Sequence, residues 1–200
     1  MLTIYLMRHG QTQWNAEGDR YCGRTDIPLT QKGIEQAQDV ARQLAGFRFE
    51  AIYSSPLERA WHTAQIAGGG KEVIKDDRLL ETDFGGWEGI TKKESIERFP
   101  EQAANWERDP ANNRAGGTGE TAQEIVARAD DFFRSIRQKY TDGNVLVVAH
   151  NGLNRFYLTY KLGMPLKNYH QIIQENSTVT LFTLDKEGVL VLYRMNSRLD

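Results

Sequence analysis

Leu2-Thr3-Ile4-Tyr5-Leu6-Met7-Arg8-His9-Gly10 decides the fold of this 200-residue chain. Leu2 to Leu6 is apolar and contains β-branched residues, which is the composition of a strand. The strand delivers an Arg-His pair to its carboxyl end, where Gly10 turns the backbone away. Open α/β sheets bind their ligands beyond the carboxyl ends of strands. Arginine at such a place suits an oxyanion, because its planar fork matches phosphate and never loses its charge. Histidine there can attack, donate a proton or accept one near neutral pH.

A second stretch repeats the arrangement. Val145-Leu146-Val147-Val148-Ala149 is a continuous apolar run, as in a strand buried on both faces, and it ends at His150-Asn151-Gly152. A helix with Leu153, Phe156, Tyr157 and Tyr160 follows it. Between these two strands the pattern alternates. Thr30 caps a helix whose apolar face is Ile34, Ala37, Ala41 and Leu44, and Glu50-Ala51-Ile52-Tyr53-Ser54 reads as a strand. Ser55-Pro56-Leu57-Glu58 has the form of a helix start, with Ser as cap, Pro first and Glu three after the cap. That start places Arg59 in the first turn, beside a positive helix end. Val73-Ile74-Lys75 is a short strand. Thr121 and Glu124 form a capping box for a helix that carries Ile125, Ala129, Phe132, Phe133 and Ile136 on one side and ends near Gly143. Thr178 to Leu184 and Val189 to Arg194 read as an antiparallel hairpin through Asp185-Lys186-Glu187-Gly188 at the edge of the sheet.

This alternation predicts an α/β fold, a three-layer α/β/α sandwich with a mostly parallel mixed sheet. Residues 1–200 form one domain. Residues 83–119 fit the alternation poorly and read as a small helical lid over the site, where substrate choice sits.

Composition narrows the function. The net charge of −2 argues against a general nucleic-acid binder. The lone Cys22 excludes an internal disulfide and suits a reducing cytoplasm. No apolar run is long enough to span a bilayer. The first apolar run is short, has no basic residue before it and is interrupted by Arg8, so it reads as a strand and not as a signal peptide. The expectation is a cytoplasmic protein without membrane or nucleic-acid partners, a monomer or a homodimer formed through its apolar edge strand. No metal and no cofactor are expected. Arg8 and Arg59 would repel a divalent cation from His9 and His150, and the chain has no Cys cluster, no His-x-x-x-His pair and no P-loop.

The motifs also carry a resemblance. Leu6-Met7-Arg8-His9-Gly10 with Thr12 and Trp14-Asn15 is followed by Arg20-Tyr21-Cys22-Gly23 and by Pro28-Leu29-Thr30-Gln31-Lys32-Gly33. Ser54-Ser55-Pro56-Leu57-Glu58-Arg59-Ala60, Leu80-Glu81, Phe84-Gly85-Gly86-Trp87-Glu88-Gly89, Gly119-Glu120-Thr121 and His150 complete the series. In this order they resemble the histidine phosphatase superfamily, which includes cofactor-dependent phosphoglycerate mutases, α-ribazole phosphatases and broad-specificity phosphatases.

The resemblance implies that His9 is a nucleophile that becomes phosphohistidine. It also implies that Arg8, Arg59 and His150 surround the phosphoryl group. Glu81 would be the proton donor to the leaving oxygen, with Asp83 its rival on sequence grounds alone. Asn15, Cys22 and Gly23 fall where family members touch the phosphate or the substrate near it. Cys22 replaces a common Ser or Thr, and Asn151 a common glycine. Gln11 replaces a common acidic residue, which implies a more positive entrance. Within the lid, Arg114 is a candidate contact for an anionic substrate, while Trp87 reads as core packing. His62 and His170 read as structural or solvent-exposed.

The leading functional reading is a metal-independent phosphomonoesterase acting on small phosphorylated metabolites. A phosphoglycerate mutase is the alternative enzyme. Mutases of this family usually carry a basic insertion between the acid and the second histidine and a longer C-terminal tail, whereas here Glu81 to His150 is short and the chain ends just after its last strand. The Gly-Gly-Trp-Glu-Gly turn, the lid tryptophan and the Gly-Glu-Thr cap are shared with α-ribazole phosphatases. From a different class, a catalytically silent phosphate-binding domain would be expected to lack His9, Glu81 or an arginine, and all are present.

Overall fold

The computed structural model describes residues 1–198. Six strands form one sheet: β1 (Leu2–Arg8), β2 (Ala51–Ser54), β3 (Ile74–Lys75), β4 (Gly143–Ala149), β5 (Val179–Leu184) and β6 (Leu190–Ser197), in the order β3-β2-β4-β1-β5-β6. The β3-β2-β4-β1 block is parallel, and the β5-β6 hairpin joins β1 antiparallel. The sheet is therefore the mostly parallel mixed one that the alternation predicts.

Seven α-helices are described: α1 (Gln13–Ala16), α2 (Gln31–Leu44), α3 (Glu58–Ala67), α4 (Lys92–Arg98), α5 (Pro100–Arg108), α6 (Ala122–Lys139) and α7 (Asn151–Lys161). None is long and apolar enough to cross a bilayer. The strands sort their side chains with a period of two. Leu2, Ile4 and Leu6 of β1 and Val145 and Val147 of β4 pack in one core with α6 and α7. Tyr5, Met7, Leu146 and Val148 pack in a second core with α2 and α3 on the opposite face. Two cores on two faces of one sheet make the three-layer sandwich.

Two helices differ in detail from their sequence signals. The buried face of α2 is Gly33, Ala37, Val40 and Leu44, one residue away from the predicted Ile34 and Ala41, which are half-buried. The cause is backbone contact. A methyl group on Gly33 would lie 2.2 Å from the Gln11 carbonyl oxygen, and one on Gly10 would lie 2.4 Å from the Gly33 oxygen. The helix is rolled so that these two glycines meet. α3 starts at Glu58 and not at Pro56, with Leu57 at its cap position, and Ser55 Oγ reaches only the Leu57 N–H, at 3.4 Å, short of the helix's own N–H groups. Ser55 still belongs to the strand's extended backbone, since its N–H donates to the Val148 oxygen at 3.1 Å. The helix end is satisfied instead by Asp26, whose carboxylate accepts from the Glu58 N–H at 2.9 Å.

Residues 83–119 hold α4, α5 and two short 3-10 turns. The segment is closed at its neck: the Glu120 N–H donates to the Asp83 carbonyl at 2.9 Å and the Asp83 N–H to the Glu120 carboxylate at 2.9 Å. Trp87 and Trp106, 1% and 4% exposed, anchor it to the larger core, so Trp87 is the packing residue the sequence predicts. Trp106 meets Phe156 edge-on at 5.9 Å, and Phe156 stacks on Tyr169 at 4.2 Å.

Candidate active site

The topology brings the two histidines together. β1 and β4 are parallel neighbours, with Arg8 opposite Ala149, so His9 and His150 leave the same end of the sheet side by side. Their ring centroids lie 5.1 Å apart. The His9 N–H donates to the Ala149 carbonyl at 3.1 Å, and the His9 carbonyl accepts from Asn176 Nδ2 at 3.0 Å. The loop after His9 is tied to α3, where the Gly10 N–H donates to Thr63 Oγ1 at 3.0 Å.

His9 Nδ1 lies 2.7 Å from the Gly10 carbonyl oxygen. A carbonyl only accepts, so the ring proton sits on Nδ1 and the lone pair on Nε2. Burial, reinforced by Arg59 and Arg8, holds His9 well below the usual histidine range. Burial, with Arg59 and His9, does the same to His150. Both imidazoles are neutral at physiological pH. Neither ring nitrogen of His150 has a hydrogen-bond partner although the residue is fully buried. Such a group awaits a polar ligand.

Two buried arginines frame the pair. Arg8 Nη1 donates to the Gln174 carbonyl at 2.9 Å, and its other arm lies 3.6 Å from Asp19. Arg59 has no solvent exposure and donates to the carbonyls of Gly23 at 2.7 Å and Thr25 at 2.9 Å. Carbonyl partners orient a guanidinium without neutralising it, and exposed Asp26, 3.9 Å from Arg59 Nη1, is at the limit of ion pairing, so positive charge remains for an anion.

Glu81 sits at the N-terminus of α7. Its Oε1 accepts from the Thr82 N–H at 2.8 Å and the Leu153 N–H at 3.0 Å, and its Oε2 accepts only the Gly152 N–H, at 3.1 Å. A methyl group at Gly152 would lie 2.6 Å from Oε1, so the glycine makes room for the carboxylate. The rival Asp83 faces elsewhere, accepting from the Gly85 N–H at 2.8 Å.

A cleft of about 210 Å³ opens above this group, lined by Arg8, His9, Asn15, Cys22, Glu81 and Asn151 among the residues expected from the sequence. Asn15 holds the turn before it, with Oδ1 accepting the Thr12 N–H at 3.1 Å. Burial pushes the Cys22 thiol up, so it stays protonated and is no nucleophile. Gly23 lies outside the cleft and acts through its carbonyl on Arg59.

Two expectations need correction. Arg114 does not reach the cleft, because its guanidinium is paired with Glu124 at 2.8 Å and bonded to the Gly119 carbonyl at 2.7 Å. Gln11 does not shape the entrance either, since its side-chain oxygen accepts from Thr30 Oγ1 at 3.1 Å. His170 is exposed as expected, yet it stands in the cleft wall, whereas His62 is half-buried on α3 outside it.

Sequence reasoning also missed Lys92, Arg155 and Tyr169, which stand in the wall with Asp19, Arg20, Tyr21 and Phe84. Arg155 had a readable signal: it lies four residues after Asn151 on one helix, hence on the same face. Lys92 and Tyr169 had none, because tertiary packing alone brings α4 and the turn after α7 to this wall.

Residues 4–197 match the family model described as the histidine phosphatase superfamily, branch 1. The chain is 31% identical over 194 residues to phosphoserine phosphatase 1 of Hydrogenobacter thermophilus, covering 96% of this chain and 91% of that protein. It is 36% identical over 170 residues to a probable phosphoglycerate mutase of Escherichia coli, covering 82% of this chain and 77% of that protein. Among solved structures, a mutant phosphoserine phosphatase of Entamoeba histolytica in complex with phosphoserine superposes with a TM-score of 0.90 at 31% identity, over 99% of this chain and 98% of that one. The chain belongs to the histidine phosphatase superfamily and is a histidine phosphatase.

Proposed function

We propose that the chain hydrolyses small phosphorylated metabolites through a phosphohistidine at His9, without a metal. The observation that carries this reading is the His9 tautomer, fixed by the 2.7 Å bond to the Gly10 carbonyl, which leaves Nε2 free to attack. In the first step the Nε2 lone pair bonds to phosphorus and the ester P–O bond breaks. Glu81, protonated at Oε2, gives its proton to the departing alkoxide. In the second step water attacks phosphorus, its proton passes to the Glu81 carboxylate and the P–N bond breaks. Inorganic phosphate then leaves. Arg8, Arg59 and a donor N–H of neutral His150 would hold the equatorial oxygens, where charge develops. Asn15, Cys22 and Asn151 would line the approach, and residues 83–119 would act as the wall that selects the substrate. The single cysteine suits a cytoplasmic location.

The test is phosphate release with chelator present. The panel takes in phosphoserine, 2- and 3-phosphoglycerate, α-ribazole phosphate, sugar phosphates and p-nitrophenyl phosphate. Release that survives chelator, is lost in His9→Ala and passes through an acid-labile phosphoenzyme is expected. Interconversion of the phosphoglycerates without release would replace this reading with a mutase. Binding without either reaction would replace it with a silent phosphate-binding domain.

A further inference from the structure

The cleft contains more positive charge than a phosphate monoester needs. Arg155 is the surplus. Its Nε donates to the Tyr169 carbonyl at 3.0 Å, and its guanidinium lies 4.9 Å from the Tyr169 ring centre. Among the described residues, Nη1 and Nη2 make no hydrogen bond and no carboxylate lies within ion-pairing distance. The other arginines of the same wall differ. Arg8 has Asp19 at 3.6 Å and Arg20 has Glu94 at 3.0 Å.

A partly buried guanidinium without a counter-ion is costly, and burial does pull its charged form down. Arg155 is nonetheless held firmly. Its partner Tyr169 accepts from Trp106 Nε1 at 3.3 Å and stacks on Phe156. An expensive charge on a rigid support, in the wall of a cleft and with two outer nitrogens unpartnered among the described residues, is the arrangement of an anion receptor.

Its position sets the ligand. Arg155 follows Asn151 by one helical turn, which places its Cβ about 5–6 Å from that of Asn151, one turn further from the histidines. Its charge is felt at Arg8 and feels that of Glu81. The Lys92 ammonium, 67% exposed and 3.6 Å from Glu107, adds a second positive group to this wall. Asp19 and Glu81 are the carboxylates of the cleft lining, but Asp19 is exposed and shared with Arg8 and Asn15, and Glu81 is taken up by the Thr82, Gly152 and Leu153 N–H groups.

Resting on the phosphatase reading above, we propose that Arg155 is a specificity residue that binds a carboxylate of the substrate, so that the preferred substrates are phosphomonoesters bearing a carboxylate a few bonds from the ester oxygen. The planar carboxylate suits the edge of a guanidinium whose face is covered by Tyr169, and the small cleft leaves little room for a bulky group.

Two matched pairs test this: phosphoserine against phosphoethanolamine, and 3-phosphoglycerate against glycerol 3-phosphate. In each pair the second compound lacks the carboxylate. The expected result is a wild-type preference of roughly 10- to 100-fold in kcat/KM for the carboxylate member, erased in Arg155→Met and partly restored in Arg155→Lys. Activity toward phosphoethanolamine, glycerol 3-phosphate and p-nitrophenyl phosphate stays within about 2-fold, which also shows that the variant folds. An equal loss on both members of a pair, or no loss on either, overturns the proposal. Faster hydrolysis of propane-1,3-diyl bisphosphate than of phosphoserine overturns the carboxylate assignment. If the wild type releases no phosphate from any compound, the phosphatase reading falls, and equilibrium binding of the same pairs decides the subsite. A carboxylate preference lost in Arg155→Met then supports it, and its absence in the wild type overturns it.

Discussion

At the inner end of the cleft, His9 and His150 stand on neighbouring strand ends, locked by the pairing of Arg8 with Ala149. At the outer end, Lys92, Arg155 and Tyr169 come from α4, the second turn of α7 and the 3-10 turn after it. The inner groups are braced by backbone: Gly10 on His9, Gly23 and Thr25 on Arg59, and the start of α7 on Glu81. At the outer end Arg155 rests on the Tyr169 carbonyl, but Tyr169 itself is placed by side chains: its ring stacks on Phe156 and its hydroxyl accepts from Trp106 Nε1. Backbone bracing tolerates side-chain change elsewhere and preserves one chemistry. Side-chain bracing can be exchanged, and so it is where substrate choice is free to vary.

The sharpest way to break this comparison is Arg59→Met. It removes a buried guanidinium at the inner end and leaves the Gly23 and Thr25 carbonyls without their donors. The expected loss in kcat is roughly 10²- to 10³-fold on every phosphomonoester, with a lower Tm besides. The loss should be indifferent to a carboxylate on the substrate. If it follows the carboxylate, the two ends are not separate sites.

Gly152→Ala sharpens the inner end from within. The new methyl group would meet Glu81 Oε1 at 2.6 Å and Thr82 Oγ1 at 2.7 Å, so the carboxylate must move. We expect kcat on alkyl phosphates to fall about 10- to 100-fold with KM little changed. p-Nitrophenyl phosphate should lose much less, since its leaving group departs without a proton. Equal losses on both substrates would remove Glu81 from the role of acid.

Much of the inner end is legible in the sequence. A β-branched run that stops at Arg-His-Gly, and an apolar run that stops at His150, are local signals that survive folding unchanged. So are the capping box of Thr121 with Glu124 and the hairpin turn at residues 185–188. What is not legible depends on contacts between distant segments. Asp26 caps α3 from 32 residues away, where the sequence offers Ser55. The α2 face is rolled by the contact of Gly33 with the loop after β1, which a helical wheel cannot contain. Arg114 has the right charge in the right segment, yet the nearer Glu124 takes it.

Stability should report the inner end through pH. Both histidines are neutral when folded, held well below 6.5 by burial first and by the arginines next. The unfolded chain binds protons below pH 6.5 that the folded chain does not. Their contribution is therefore fully present above pH 6.5 and is lost as pH falls from there toward the folded values. The limiting slope is about 1.4 kcal/mol per pH unit for each histidine. Thermal unfolding between pH 7.5 and 5 should show Tm falling with acidity, and His150→Asn should flatten the fall. A Tm that is level over this range would mean that the histidines are charged in the folded protein.

The smallest effect is expected at Arg114, and it tests the outer boundary of the site. Arg114 and Glu124 are half-exposed, at 51% and 46%, and exposed ion pairs contribute only about 0–1 kcal/mol. The Arg114 bond to the Gly119 carbonyl helps to close the neck of the 83–119 segment, but Asp83 and Glu120 close it independently. Arg114→Ala should therefore lower Tm by no more than a few degrees and leave kcat/KM within about 2-fold for substrates with and without a carboxylate. Arg155→Met, by contrast, should lower kcat/KM for the carboxylate-bearing substrates alone. If Arg114→Ala does so instead, the segment must close further over a bound substrate than it does here, and the receptor for the second anion would lie on the lid and not on α7.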